Sequence, residues 1–134
     1  MKKLILLVFA LLASINFVAC SSSDDKTETP PSLSVVDLQG DWRYDPDNGN
    51  IYTCSFSGNH IEYLCININT LKGLIDIEGN FEIKGNTLEV TISNNVSFYG
   101  ATKYKVGDKH NVSATWLDTG KTKLRIDNFT MTRK

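Results

Sequence analysis

Residues 75–92 constrain this chain more tightly than any other stretch. Ile75, Ile77, Phe81 and Ile83 recur at alternate positions with Gly79 in phase, and Asp76, Glu78, Asn80, Glu82 and Lys84 fill the places between them. A period of two belongs to a strand with one face on a core and the other in water. Gly85-Asn86 then supplies a two-residue turn, and Leu88, Val90 and Ile92 alternate with Thr87, Glu89 and Thr91. The pattern also fixes the pairing. Lys84 faces Thr87, Ile83 faces Leu88, Phe81 faces Val90 and Gly79 faces Ile92. A slip of one residue would turn every apolar side chain to water.

The rest of the chain after Gly40 reads the same way. Gly40–Tyr44 carries Trp42 and Tyr44 on one face. Ile51–Ser57 presents Tyr52, Cys54 and Phe56, and after a Gly58-Asn59 turn Ile61, Tyr63 and Cys65 continue that face. The apolar positions then pass to Ile66 and Ile68, a phase change that predicts a bulge near Cys65. Phe98–Val106, Val112–Leu117 and Lys123–Thr132 follow, the last with a second phase change between Ile126 and Phe129. Eight short strands and no helix of useful length predict an all-β fold. The expected architecture is an eight-stranded antiparallel up-and-down barrel, with a small sandwich as the alternative.

The first 32 residues belong to something else. Lys2 and Lys3 precede an apolar run, Leu4–Val18, broken only by Ser14 and Asn16; Ala19 and Cys20 come next, then Ser21-Ser22-Ser23-Asp24-Asp25. A basic start, a short apolar stretch and a small residue at the cut read as a secretory signal. The cysteine makes it resemble a bacterial lipoprotein signal, which implies a lipid on Cys20 as the membrane anchor. The serine-aspartate run resembles the export tag of Bacteroides-type lipoproteins and implies an outer-membrane, surface-exposed protein. An ordinary signal with an incidental cysteine is the alternative. A spanning helix would need about 20 apolar residues, more than this run offers. Residues 20–32 then read as a tether of about 20 Å reach. Residues 33–134 read as the folded domain.

Several function classes find no support. The chain has a formal charge of −1, which becomes −3 once Lys2 and Lys3 are set aside. No basic excess points to nucleic acid. There is no Gly-x-Ser-x-Gly elbow, no phosphate loop and no nucleophile–base pairing, so neither an enzyme nor a cofactor is expected. Asp45–Asn50 looks like a calcium loop until it is counted: positions 6 and 12 are Asn50 and Phe56 rather than glycine and glutamate. Cys54 and Cys65, with His60 and His110 as the only histidines, have no zinc-site spacing. The same two cysteines leave a disulfide open. A two-residue loop at Gly58-Asn59 makes them diagonal neighbours, about 7–8 Å apart and beyond disulfide reach. A four-residue loop would set them face to face.

Leu38-Gln39-Gly40-Asp41-Trp42 resembles the Gly-x-Trp opening of lipocalin-like domains. Residues 78–88 resemble a midpoint hairpin of lipocalin-like lipoproteins of the Bacteroides group, and Thr130–Lys134 resembles their closing strand. The resemblance implies a barrel whose tryptophan packs across the closed end beneath an arginine of the last strand, here Arg125 or Arg133. It also implies a lipid-anchored binding module for a small apolar or amphipathic ligand, or for a protein. The many bulky inward positions argue against a deep cup. The contacts are therefore expected at the open rim, from Tyr44, Tyr52, Tyr63 and Trp116. The alternative is an envelope inhibitor of a host enzyme such as lysozyme, which Tyr52-Thr53-Cys54 and Tyr99–Tyr104 faintly resemble. An outward-thrusting segment 94–101 would favour inhibition.

Overall fold

The computed structural model describes residues 29–94, 100 and 104–134. The signal, Cys20 and the tether up to residue 28 lie outside the described residues, as does most of segment 94–101. A short helix, α1 (Val35–Leu38), precedes eight strands: β1 (Gly40–Tyr44), β2 (Asn50–Ser57), β3 (His60–Asn67), β4 (Lys72–Lys84), β5 (Thr87–Ile92), β6 (Lys109–Trp116), β7 (Lys123–Ile126) and β8 (Phe129–Arg133). Each strand pairs antiparallel with the next, and β8 returns to β1 through Trp42 opposite Arg133 and Arg43 opposite Thr132. The result is a closed up-and-down barrel, which leaves no free sheet edge.

The β4–β5 hairpin has the register its sequence dictates: Lys84 opposite Thr87, Ile83 opposite Leu88, Phe81 opposite Val90 and Gly79 opposite Ile92. Gly79 has a steric reason to be glycine. A Cβ there would lie 2.1 Å from the Thr91 carbonyl oxygen, so the two backbones approach too closely for any side chain. β4 is thirteen residues long and changes partner part-way: Lys72–Asn80 lies along β3, while Gly79–Lys84 lies along β5. This stagger is the shear that lets a twisted sheet close on itself.

Two expectations about strands need correction. Tyr104–Asp108 is not a strand, and the sixth strand starts at Lys109. The missing strand comes from the end of the chain. Lys123–Thr132 is two strands joined by Asp127-Asn128, with Asp127 at φ 49. What reads as a phase change between Ile126 and Phe129 is a two-residue hairpin turn. Asp127 stabilises it by accepting hydrogen bonds at Oδ1 from the Ser113 backbone N–H (3.0 Å) and hydroxyl (3.3 Å).

The interior is one apolar cluster running from Leu33 to Met131 and including Trp42, Phe56, Tyr63, Phe81 and Trp116. One end is closed by α1. Ser34 caps that helix by accepting from the Asp37 N–H, and Leu38 is fully buried beneath it. Trp42 lies under the same end, its Nε1–H donating to the Leu38 carbonyl at 2.8 Å. Arg133 seals the arrangement. Its guanidinium stacks 4.5 Å from the Trp42 ring and donates to the carbonyls of Gln39 and Asp37, both at 2.8 Å. Arg133, not Arg125, is thus the arginine over the tryptophan; Arg125 is exposed on β7.

Candidate functional site

The four aromatic residues expected at the rim do not form one site. Tyr44 and Tyr52 face each other across β1 and β2, and with Phe129 they make a three-ring cluster; the Tyr52 and Phe129 centroids are 3.9 Å apart. Trp116 is at the opposite end, 5.6 Å from Trp42, and is 1% exposed. Tyr63 is 1% exposed as well, in the middle of the core. Burial pushes the Tyr63 phenol well above its ordinary range and also raises that of Tyr52. Tyr63 and Trp116 fill the barrel, Tyr52 packs into the plug at its end, and Tyr44 alone of the four stays half-exposed.

The cysteine question is settled by the loop. Gly58-Asn59 is a two-residue turn, so Cys54 pairs with Tyr63 and Cys65 with Tyr52. Both thiols are free and buried. The disulfide left open by the spacing does not form, because the register makes the two residues diagonal rather than opposed. Burial raises the pKa of both thiols, which lowers their reactivity.

The surface that stands out is on the outside of the wall. Ile51 and Thr53 of β2, Leu64 and Ile66 of β3, and Ile68 and Leu71 of the following loop line a shallow apolar groove of about 230 Å3. Ile68 and Leu71 are 51% and 64% exposed. The expected phase change along β3 is absent. Its alternation never changes phase: Ile61, Tyr63 and Cys65 point inward throughout, and Ile66 lies on the outer face with Glu62 and Leu64. The bulge beside Cys65 is real, but its extra residue is Leu74 on β4, lying between Gly73 opposite Ile66 and Ile75 opposite Cys65. Leu74 is 43% exposed and adds to the apolar surface. Strict parity along β3 was the available signal. It places Ile66 on the face of Glu62, where a solvated strand has no use for isoleucine.

A second groove of about 280 Å3 adjoins the first and shares Leu64 with it. Besides Tyr63, its other lining is acidic and polar: Glu62, Asp76, Glu78 and Asn94. Glu62 stands directly opposite Glu78, and Leu64 directly opposite Asp76. One barrel wall therefore carries an apolar half and an anionic half that meet at a single leucine. Neither groove reaches the roughly 300 Å3 at which enclosed small-molecule pockets begin, and both are open to solvent.

Compared with known protein families, with characterised proteins and with solved structures, the chain matches none.

Proposed function

We propose that this chain is a non-enzymatic binding module, lipid-anchored through Cys20 at the outer face of a bacterial envelope. It takes an amphipathic, cationic protein segment on the outer wall of β2–β4. The observation that carries the reading is Leu64, which lies in both grooves and joins apolar Ile51, Ile66, Ile68 and Leu71 to acidic Glu62, Asp76 and Glu78. A ligand that buries apolar side chains in one groove sets Lys or Arg against the other. Charge complementarity then supplies orientation and rate, and apolar burial supplies affinity. The filled interior supports the wall over the barrel lumen as the binding surface.

The test is an anisotropy titration of a labelled leucine- and lysine-rich amphipathic peptide with the full chain in detergent. Saturable binding that weakens at least tenfold in Leu64→Asp, and again with added salt, is expected; Val36→Asp on α1 leaves it unchanged. Equal binding by Leu64→Asp would end the proposal. The alternative, a host-enzyme inhibitor, rests on the faint resemblance of Tyr52-Thr53-Cys54 and Tyr99–Tyr104 to lysozyme inhibitors, and lysozyme inhibition by the full chain decides between the two. Incorporation of labelled palmitate, lost in Cys20→Ala, tests the anchor separately.

A further inference from the structure

β4 carries two glutamates that stand directly opposite glutamates of its neighbours, and the molecule resolves the two pairs differently. Glu82 faces Glu89 across β4 and β5, and Glu89 receives Lys84 at 2.8 Å and Lys109 at 2.5 Å. Two ammonium groups offset that repulsion. Glu62 faces Glu78 across β3 and β4, and among the described residues no Lys or Arg meets either carboxylate. The third group there is His60, whose Nε2 lies 3.5 Å from Glu78 Oε1.

The three side chains converge. One ligand atom from each of His60, Glu62 and Glu78 lies within 4.8 Å of the others. Three donors bound at about 2.0–2.2 Å to a single ion sit roughly 3–4 Å apart, so a small rotation of each χ angle closes the set. The strand register holds them there: His60 and Glu62 are two apart on one face of β3, and Glu78 stands opposite on β4.

Two of the donors are already oriented from behind. His60 Nδ1 lies 3.4 Å from Asn80 Oδ1. When Nδ1–H donates to that amide oxygen, Nε2 keeps its lone pair and points it toward Glu78. Asn94 Nδ2 donates to Glu78 Oε2 at 2.6 Å, which leaves Oε1 as the oxygen facing the imidazole. Outer partners of this kind fix tautomer and carboxylate rotation in metal sites.

We propose that His60, Glu62 and Glu78 bind one divalent transition-metal cation of the zinc type, with solvent completing its coordination. The imidazole excludes calcium and magnesium, which take oxygen donors. The cation does for Glu62 and Glu78 what Lys84 and Lys109 do for Glu89. The proposal needs three side chains and an ion, and it stands whether or not the wall also takes a cationic partner.

The test is calorimetric titration of zinc chloride into the full chain in detergent, with the His60 imidazole nitrogens followed by NMR. A saturable equivalent that shifts the His60 Nε2 resonance is expected. His60→Ala and Glu62→Gln each weaken it at least tenfold, Asn80→Ala weakens it about tenfold through the freed tautomer, and His110→Ala leaves it unchanged. Calcium and magnesium do not compete. Glu62→Gln keeps the test decisive if His60→Ala perturbs the hairpin, because the Glu62 side chain is exposed and makes no ion pair among the described residues; unchanged tryptophan fluorescence confirms folding. Uptake that persists in both variants, absence of saturable uptake, or displacement of zinc by calcium would overturn the proposal.

Discussion

The two faces of strands β2–β4 follow different rules. Inward they carry Tyr52, Cys54, Phe56, Ile61, Tyr63, Cys65, Ile77 and Phe81, all buried in one cluster. Outward they carry Ile51, Leu64, Ile66 and an acidic set, half-exposed or exposed. Folding alone explains the inner set, since each side chain loses its water there and stabilises the barrel. It explains isoleucine and leucine on the outer face less well, where each side chain is only partly withdrawn from water. The outer wall is where this sequence departs from the pattern the fold asks for, and such departures are where function is to be sought.

The sharpest way to break this comparison uses two substitutions three residues apart on β3. Ile61→Asp puts an unpaired charge into a fully buried position and is expected to cost at least about 4 kcal/mol, enough to unfold the barrel. Leu64→Asp, at a partly buried position directly opposite Asp76, is expected to cost only about 1 kcal/mol. Urea denaturation followed by tryptophan fluorescence reads both. Equal destabilisation would mean that the outer leucine is part of the fold.

The closed end gives the next effect in size. Arg133→Met removes two charge-assisted hydrogen bonds to the carbonyls of Asp37 and Gln39 and is expected to cost about 2 kcal/mol. Arg125→Met, at the exposed arginine of β7, is the matched control and should fall within about 0.5 kcal/mol.

A smaller effect of opposite sign tests the like-charged pair. Without added metal, Glu62→Gln removes a carboxylate opposite Glu78 and is expected to stabilise by about 0.5 kcal/mol. Thermal melts in chelator measure it, and zinc should reverse the ranking of wild type and variant.

Acid gives the smallest effect. Hydrogen bonds from Lys109 and Lys84 hold the Glu89 carboxyl below its ordinary 4.5, and those from Lys121 and Ser34 hold Asp37 below 3.8. A lowered folded pKa stabilises the fold above the unfolded value and ceases to do so as pH falls through the folded one. Tm should therefore hold above pH 4.5 and decline below it. Glu89→Gln should flatten part of that decline, and melts taken across the acid range will show whether it does.

The hairpin at 75–92 and the Gly58-Asn59 turn can be read from the chain because period and turn chemistry are local. Asp127-Asn128 was harder to see. It lacks glycine, and its positive φ is supported by Ser113 of β6, a contact no local pattern reveals. Ile66 misled because an apolar residue was assigned to the core by its type rather than by its parity. The trio His60, Glu62 and Glu78 spans a hairpin loop and two strands, so its spacing matches no linear metal motif.

The all-β architecture, the inward faces of β4 and β5 and the pairing between them were determined by the sequence alone, since alternation and two-residue turns act between near neighbours. Only the closed barrel decided that Arg133 covers Trp42 and that leucine, isoleucine and three acidic side chains share one outer wall. Those facts depend on register across strands and on closure of β8 onto β1, and both are set by the packing of the whole sheet.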